Sequence, residues 1–378
     1  MFSPMTARPS KGQGRPTLAH VAEAAGVSRA TAARALGDYG YVLESTRVAV
    51  LAAAARLGYA PNSIARSMVT GRTRTIGFVS ADMENPFFAR TMAGITDVAR
   101  SAGYEVLIAN SQEQPELERR AVRTLHERQV DGMIVTPTQF ADGFHLRRLA
   151  DRAIPVVLLD RAVRGVAADA VLIDNVRAAR VAVEYLITLG HRRIGLLTND
   201  LHGAPLERLG ETALDPTHAS TGASRGVGYL AALREANLGV SAQLIRSASY
   251  TRESANEAMA QLLKLRSRPT AVLAVDNVLT LGAFETIQAS GLDFPADISL
   301  LGFDDLEWTT IVRPTLSVVA QPAYDIGATA ARRLLARLDG EDSPAQVLFL
   351  DTSLVEREST VAPRVADGSR RRVTAGRR

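Results

Sequence analysis

The sequence predicts an α/β protein in which a three-helix head precedes a larger body of two lobes, each built on a parallel sheet. From Thr17 to Leu36 the residues TLAHVAEAAGVSRATAARAL form two short helical patterns joined by a glycine. From Thr75 onward, apolar runs rich in β-branched residues alternate with helical stretches, which is the pattern of parallel sheets covered by helices. Nine or more such runs are more than one compact sheet usually holds, so we expect two lobes.

The first two predicted helices have the caps and the turn of a short helix pair. Thr17 is a favourable N-cap for the first helix, and Ser28 is positioned to cap the second. Gly26 supplies the tight turn between them. The apolar residues of the first helix repeat at helical spacing, at Leu18, Val21, Ala22 and Ala25.

The second helix carries an arginine-bearing arc. At 3.6 residues per turn, one arc of this helix contains Arg29, Ala30, Ala33 and Arg34. A basic helix face held against a small core by a glycine turn is typical of a helix-turn-helix DNA reader. The alternative is a plain alanine-rich hairpin whose arginines lie on an ordinary solvated face.

A third helix and a short linker follow. The helix is predicted over residues 45–57, with an apolar stripe at i, i+3, i+4 and i+7 and with Gly58 as its end; the stripe consists of Val48, Leu51, Ala52 and Ala55. Residues 59–75, YAPNSIARSMVTGRTRT, hold about two helical turns, which is too short for a stable isolated helix. We expect a segment that orders only when stabilised, although periodicity alone favours an ordinary linker.

The body is predicted to alternate strands with helices. Strands are predicted at 76–79, 104–109, 132–135, 156–159, 171–173, 194–197, 244–248, 271–275 and 300–303, with helices at 88–102, 177–189 and 255–265 among them. Residues 200–221 interrupt this pattern, and we interpret them as a long surface loop or lid. Two such lobes place a ligand cleft at the carboxyl ends of their strands.

Composition excludes several classes of protein. The chain has no cysteine, which removes disulfides and thiolate metal sites and is compatible with a reducing cytoplasm. No apolar run approaches the roughly 18 residues of a membrane span, and the N-terminus lacks the apolar region of a signal peptide. We therefore expect a cytoplasmic protein without a membrane partner.

Charge is distributed unevenly along the chain. Residues 1–75 contain ten Lys and Arg against three acidic residues, a net charge of +7, whereas the rest carries 34 basic and 37 acidic residues, a net charge of −3. A basic head on an acidic body is typical of a nucleic-acid-binding module attached to a domain with another task.

Sequence signatures of enzymes are missing. The chain contains no G-x-G-x-x-G after a strand, no G-x-x-x-x-G-K-[ST], no G-x-S-x-G and no H-E-x-x-H. Its six histidines are scattered and form no zinc pattern, and His191 is expected to be a structural residue at a helix end. We expect no catalytic residue, no metal and no cofactor.

Taken together, these segments resemble the lactose-repressor (LacI) family of bacterial transcription factors from Thr17 to about Thr360. The matching segments occur in the order TLAHVAEAAGVSRATAARAL, GYAPNSIARSMVTGRTRTIGFV, NPFF, VDGMIVTP, LGHRRIG, LLGFDD and LVEREST. The resemblance implies a body like that of periplasmic binding proteins and a ligand-responsive repressor, most simply of sugar-utilisation genes, that binds double-stranded operator DNA. The rival interpretation, a periplasmic sugar-binding protein, would need a signal peptide and would not use a basic helical head.

The resemblance also implies the DNA contacts. It places the second helix in the major groove, with Arg29, Ala30 and Arg34 at base edges and with Thr17, Ser28 and Thr31 near phosphates. The sequence departs from the family pattern at Ala32-Ala33, where Val-Ser is usual, and at Gly37, where asparagine is usual. We expect somewhat weaker anchoring on the DNA backbone, which the basic segment 11–15 could offset.

Residues 62–69 align with the family's hinge helix, which orders on operator binding and enters the minor groove as a symmetric pair. The hinge residues implied at DNA are Asn62, Ala65 and Met68, the last in place of the usual leucine wedge. This favours the hinge over the ordinary linker. Paired wedges require two copies on a near-palindromic site, and the C-terminal tail has no heptads for tetramers, so we expect a homodimer.

The resemblance places a small-molecule effector between the lobes. The implied contacts are Phe87, Phe88, Thr138, Asp160, Arg225, Tyr250, Asp276 and Asp304. Aromatic faces beside carboxylates that accept bonds from hydroxyls are typical of a site for a sugar or nucleoside. Taken singly, the two phenylalanines could be helix-start core and Asp304 a cap. The family's usual Asn-Asp is inverted here at Asp276-Asn277, and the 200–221 loop is an insertion that could reshape the cleft.

The predicted domains are a disordered basic arm (1–16), a helix-turn-helix domain (17–58), a hinge helix and linker (59–74), a two-lobed effector-binding and dimerisation domain (75–362) and a disordered arginine-rich tail (363–378). Lobe 1 is predicted to comprise about 75–173 and 321–340, and lobe 2 about 174–320 and 344–360.

Overall fold

The computed structural model describes residues 16–37, 39–59, 71–138, 143–150, 152, 154–199 and 220–364. The chain forms two compact units, one ending at Arg74 and the other beginning at Thr75. The predicted basic arm, the hinge residues Asn62, Ala65 and Met68, nearly all of the 200–221 loop and the arginine-rich tail lie outside the described residues.

The first unit contains three helices, α1 (Leu18–Ala24), α2 (Arg29–Gly37) and α3 (Glu44–Leu57). Gly26 adopts a left-handed conformation (φ +66°) in the turn between α1 and α2, as does Gly58 (φ +63°) after α3. Both positions favour glycine because a Cβ would be strained there. The small core that joins the three helices consists of Val21, Ala22, Ala32, Ala35, Val50, Ala53 and Ala54.

The apolar stripe identified on α3 does not face this core. Val48 is 57% exposed and Leu51 is 49% exposed, and Ala52 and Ala55 are also exposed. The buried face is instead Val50, Ala53 and Ala54, with Leu57 partly buried against them. Both sets have the spacing i, i+3, i+4, i+7, because α3 is apolar over most of its circumference. Periodicity therefore could not decide which face packs.

The second unit alternates strands and helices. Its strands are β1 (Thr75–Ser80), β2 (Glu105–Asn110), β3 (Gly132–Val135), β4 (Val156–Leu159), β5 (Asp169–Ile173), β6 (Ile194–Thr198), β7 (Ile245–Ser247), β8 (Ala271–Ala274), β9 (Ser299–Phe303), β10 (Ser317–Ala320), β11 (Val347–Leu350) and β12 (Ser353–Val355). Its helices are α4 (Pro86–Ser101), α5 (Pro115–Glu127), α6 (Phe144–Ala150), α7 (Asn175–Thr188), α8 (Thr221–Glu235), α9 (Arg252–Leu263), α10 (Asn277–Ala289), α11 (Glu307–Ile311) and α12 (Ala323–Leu338). A short 3-10 turn, Ala242–Leu244, precedes β7.

These strands form two six-stranded sheets, so the predicted α/β fold class is confirmed. The first sheet has the order β11-β5-β4-β3-β1-β2, with parallel pairing throughout. The second has the order β12-β10-β9-β8-β6-β7 and is parallel except for the pair β10–β12. The chain passes between the sheets after β5, after β10 and after β11, so each lobe combines separate stretches of sequence.

Helices cover both faces of each sheet. In the first lobe α4 and α12 cross on one face, where added Cβ atoms would lie 2.1 Å from Tyr324 O at Gly94 and 1.9 Å from Thr91 O at Gly327. These glycines allow the two backbones to touch. Helices α5 and α6 pack on the opposite face, over a separate apolar cluster. The second lobe has α7 and α8 on one face and α9 and α10 on the other.

The structure differs from the prediction at the C-terminal strands. Residues 344–360 were assigned to lobe 2, but β11 pairs with β5 in the first sheet, and only β12 joins the second sheet. The buried carboxylate of Asp169 explains the placement of β11. It accepts a 2.8 Å bond from the Gln346 backbone N–H and is held by Arg333 and Arg337 of α12, at 3.1 and 2.9 Å. Strands β10, β11 and β12, of three or four residues each, were not individually predicted.

Within the described part of the chain, no helix has both the length and the apolar composition to cross a bilayer.

Candidate functional site

In the head, helix α2 presents a polar, basic face. Arg29, Ala30 and Arg34 are exposed, whereas Ala32 and Ala35 on the opposite side are buried in the core. This separation is the one that the 3.6-residue arc predicts. The face therefore offers two guanidinium groups and one methyl group to any surface that α2 meets.

Ser28 caps α2 as predicted. Its Oγ accepts a 3.1 Å bond from the Thr31 backbone N–H, and the two hydroxyls lie 2.9 Å apart. Thr31 Oγ1 also accepts a 3.5 Å bond from Arg34 Nη2, so these side chains form one local network at the start of α2. Thr17 is the N-cap of α1 and is exposed, with its backbone N–H donating to His20 Nδ1 at 3.3 Å.

In the body, the carboxyl ends of the two sheets face a cavity of about 480 Å³. All eight residues predicted to contact an effector line this cavity: Phe87, Phe88, Thr138, Asp160, Arg225, Tyr250, Asp276 and Asp304. They come from both lobes and from segments more than 200 residues apart, and the fold brings them together. The volume lies in the range of small-molecule sites.

The aromatic wall of the cavity is built at the start of α4. Asn85 is the N-cap of this helix, and its Oδ1 accepts a 3.0 Å bond from the Phe87 backbone N–H. Pro86 occupies the first helical turn, where its missing N–H has no cost. The rings of Phe87 and Phe88 pack edge to face with centroids 5.0 Å apart. The cap therefore fixes an apolar surface against which a flat ring can stack.

Two of the carboxylates follow central strands in a left-handed backbone conformation. Asp160 comes directly after β4 (φ +66°), and Asp304 directly after β9 (φ +70°). Such conformations are uncommon for residues other than glycine and concentrate at functional sites. Both side chains are also buried, at 9% and 6% exposure of the residue.

Arg225 is the buried cation of the cleft. It is 4% exposed, and its Nε donates to Asn175 Oδ1 at 2.8 Å while Nη1 donates to the Val275 carbonyl oxygen. The guanidinium also lies 4.2 Å from the centre of the Phe303 ring. These neutral partners hold the charge beside Asp160, Asp276 and Asp304, which oppose the lowering of the Arg225 pKa by burial.

Burial disfavours the ionised carboxylates. It raises the pKa of Asp276 to about 6 and also raises the pKa of Asp160 above its ordinary value. Asp276 is the N-cap of α10 and accepts bonds from the Leu279 backbone N–H at 2.8 Å and from Asn199 Nδ2 at 2.6 Å. With Glu113 and Arg161, which pair at 2.6 Å, the lining contains four carboxylates and two guanidiniums.

The structure adds polar residues that the sequence did not single out: Asn85, Asn199, Asn277 and Gln321. Asn85 of the first lobe donates from Nδ2 to the Tyr250 hydroxyl at 2.7 Å and accepts from Asn277 Nδ2 at 2.9 Å, both in the second lobe. Asn277 Nδ2 also donates to Asp304 at 3.1 Å. Asn85 lies in the NPFF segment and Asn277 in the inverted Asp-Asn pair, so both motifs were visible signals.

This lining suits an uncharged ligand rich in hydroxyl groups. An excess of carboxylates favours hydrogen-bond donors and disfavours an anion, and the amides supply both donors and acceptors. No group of His, Cys, Asp and Glu side chains among the described residues is arranged to hold a metal ion. His191 is buried away from the cleft, with Nδ1 2.9 Å from Thr270 Oγ1 and Nε2 2.9 Å from the Val361 carbonyl oxygen.

Comparison with known proteins finds two family models that match successive parts of the chain. A family model described as bacterial regulatory proteins, lacI family, matches residues 17–62. A second, described as periplasmic binding proteins and sugar binding domain of LacI family, matches residues 73–350. The HTH-type transcriptional repressor PurR of Proteus mirabilis (strain HI4320) is 33% identical over 355 residues, which cover 93% of this chain and 97% of that protein.

Two solved structures extend the likeness to the fold. The lac repressor dimer bound to operator and the anti-inducer ONPF has a TM-score of 0.78 and 28% sequence identity, covering 92% of this chain and 100% of that chain. A complex of the transcriptional regulator CelR with cellobiose has a TM-score of 0.66 and 29% identity, covering 91% and 100%.

Replacing Asp276 by asparagine is expected to raise thermal stability at neutral and alkaline pH. Because the folded-state pKa of about 6 lies above the ordinary value of 3.8 for an aspartate, the parent loses stability as the pH rises from about 4 to 6. Asparagine can still cap α10 but carries no buried charge. In differential scanning calorimetry, Asp276→Asn should melt a few degrees above the parent at pH 8, with the difference shrinking towards pH 4. A destabilisation of equal size at both pH values would contradict this account.

The matched control is Asp297→Asn. Hydrogen bonds from the Asp293 backbone N–H and Arg364 lower the pKa of this half-buried carboxyl. This substitution should therefore have the opposite sign, a small loss of stability at pH 8 that disappears as the pH falls below the ordinary range of an aspartate.

Proposed function

This chain belongs to the LacI family of bacterial regulatory proteins, and we propose that it is a ligand-responsive transcription repressor that binds operator DNA as a homodimer in the cytoplasm. The observation that carries the proposal is the exposed Arg29–Ala30–Arg34 face of α2, which projects from an alanine core in a chain whose body holds a separate polar cleft. The named relatives are repressors, and we propose no catalytic activity for this chain.

We infer that α2 reads bases and that its first turn positions it. Arg29 and Arg34 are suited to bidentate bonds with guanine O6 and N7, and Ala30 to contact with a thymine methyl group. Ser28, Thr31 and Thr17 are suited to phosphates, which fix the register without reading sequence. The Ser28–Thr31–Arg34 network supports this assignment, because it orients Arg34 before any DNA arrives.

The hinge segment would contribute a second contact. We propose that Asn62, Ala65 and Met68 enter the minor groove together with the same residues of a partner subunit, with Met68 as an apolar wedge between base pairs. Since a two-turn helix is marginal alone, a bias of a few kcal/mol at the hinge would be enough to change operator affinity.

For the cleft we propose a small uncharged effector, a sugar or a nucleoside, that links the two lobes. The support is the negative balance of the lining, the Phe87–Phe88 wall and the hydrogen bonds that join Asn85 to Tyr250 and Asn277 across the lobes. The complex of CelR with cellobiose, a related fold with a bound sugar, points in the same direction. An effector that replaces or extends these interlobe bonds would shift the lobes relative to each other.

Arg34→Ala should relax base preference within the operator half-site. The loss of one bidentate contact corresponds to ~1–3 kcal/mol, or about 5- to 150-fold in affinity for the preferred sequence. Gel retardation on the protein's own upstream DNA and on a library of half-site variants measures both quantities. Arg34→Lys retains the positive charge but not the two parallel N–H donors of the guanidinium, so it should also lose discrimination between bases. If Arg34→Ala keeps the parent's affinity and preference, α2 is not the reading helix. Absence of any retardation by the parent would favour a binding protein without a DNA role.

Met68→Gly should weaken operator binding while leaving the fold intact. Removing the wedge reduces the kink that allows both heads to reach their half-sites, so affinity for the operator should fall more than affinity for random duplex. The same assay gives both values, and circular dichroism checks folding. Unchanged operator affinity would remove Met68 from the DNA contact.

A cleft ligand should raise the melting temperature of the parent but not of Asp304→Asn. A ligand that binds only the folded state stabilises it by about 2.7 kcal/mol at a concentration 100 times its dissociation constant. Scanning fluorimetry with a panel of monosaccharides, disaccharides and nucleosides identifies it, and Asp297→Asn, which alters a half-buried aspartate outside the cleft, should respond like the parent. A ligand that stabilises Asp304→Asn equally would lie elsewhere.

A further inference from the structure

A second cavity lies on the outer side of the first lobe, between α5 and α6. Its volume is about 550 Å³, and it belongs to the face of the first sheet opposite α4 and α12. Four arginines line it: Arg119 and Arg123 from α5, Arg148 from α6, and Arg152, which follows α6. We call it the arginine pocket. None of its lining residues lines the interlobe cleft.

The charge in the arginine pocket is unusual for this body. The chain after residue 75 is acidic overall, with a net charge of −3, yet the pocket combines four guanidiniums with one lining carboxylate, Glu127. Clustering of four like charges, from two helices and the turn after the second, raises the local positive potential, and a concave surface strengthens it further. An anion is the species that such a field concentrates.

Two of the four arginines contact other side chains, and the described residues offer no such partner to Arg123 and Arg148. Within the described part of the chain, no carboxylate forms an ion pair with Arg123, Arg148 or Arg152. Arg152 Nη1 lies 2.8 Å from His126 Nε2, and this contact holds Arg152 at the edge of the pocket. Arg119 does pair with Glu116 at 2.5 Å. The guanidinium groups of Arg123 and Arg148 thus face solvent on neighbouring helices.

The walls of the pocket are fixed by buried groups. Val122 and Leu149 are 3% and 4% exposed and form an apolar floor. The buried carboxylate of Glu118 on α5 lies 2.6 Å from His145 Nε2 on α6, and this bond ties the two helices together behind the arginines. The other oxygen of Glu118 accepts a 2.6 Å bond from the Thr138 backbone N–H, and Thr138 lines the interlobe cleft. One carboxylate therefore connects both cavities.

We propose that the arginine pocket binds a small phosphate-bearing molecule. Paired guanidinium forks match the geometry of phosphate oxygens, and arginine is the side chain best suited to this recognition. The volume fits a metabolite-sized ligand, and the apolar floor offers a surface for its carbon skeleton. The interlobe cleft, with its excess of carboxylates, would select an uncharged ligand, so the two cavities divide ligands by charge.

The test is isothermal titration of the full-length protein with glycerol 2-phosphate and with inorganic phosphate at low ionic strength. We expect saturable binding of both phosphate compounds. Glycerol, and sodium chloride at matched ionic strength, should show no binding. The double variant Arg123→Gln/Arg148→Gln should bind glycerol 2-phosphate at least ten times more weakly. Both arginines are exposed, so the variant should melt within a few degrees of the parent.

The matched control is Arg234→Gln/Arg266→Gln, which removes two exposed arginines from the second lobe and changes the net charge by the same amount. It should bind like the parent. Equal weakening in both double variants would indicate a general charge effect and overturn the proposal. Parent-like binding of glycerol 2-phosphate by the pocket variant would also overturn the proposal, because the phosphate would then bind elsewhere. In a further titration with an acidic hexapeptide, binding of the peptide without binding of glycerol 2-phosphate would overturn it as well. The assay contains neither DNA nor a cleft ligand, so its outcome is independent of the repressor function.

Discussion

The burial of one cation among three carboxylates is the constraint on which the cleft depends. Arg225 lies at the carboxyl ends of both sheets, and Asp160, Asp276 and Asp304 converge on it from strand ends of both lobes. Removing the guanidinium would leave buried carboxylates uncompensated, which is costly in a low-dielectric site. Its own bonds go to neutral groups, an amide, a carbonyl oxygen and an aromatic face. The carboxylate oxygens therefore remain able to accept bonds from a ligand.

The two lobes share two local features, an aspartate at the end of a central strand and a glycine where two helices cross. In each, a central strand ends in an aspartate with left-handed backbone, Asp160 after β4 and Asp304 after β9. The conformation turns the chain sharply at the strand end and is tolerated because the neighbouring strands hold the backbone on both sides. In each lobe, too, a glycine lets two helices cross in backbone contact, at Gly94 in the first and Gly228 in the second. The same devices therefore shape the strand ends and the helix packing of both lobes.

The contact between the lobes includes hydrogen bonds that other groups can replace. Asn85 reaches from the first lobe to Tyr250 and Asn277 of the second, and water or a ligand hydroxyl can replace each partner at a net cost of about 1 kcal/mol. These polar contacts accompany an apolar cluster that includes buried residues of both lobes. The head depends on weaker packing still, because its core is mostly alanine and the methyl groups bury little area.

The sequence by itself determined the fold class, the glycine turn and serine cap of the helix pair and the basic arc of α2. Each of these follows from local chemistry: a period of 2 or 3.6, a left-handed glycine or a capping hydroxyl. The eight cleft side chains were implied instead by the resemblance to the LacI family, and the fold places them around one cavity. Tertiary structure decided which of two equivalent apolar stripes of α3 is buried, because both have helical spacing and only the neighbouring helices distinguish them. It also placed β11 beside β5, since the bonds of Asp169 with Gln346, Arg333 and Arg337 join residues more than 160 positions apart. The bridging amides and the arginine pocket likewise arise only when distant segments meet, a separation that no local period records.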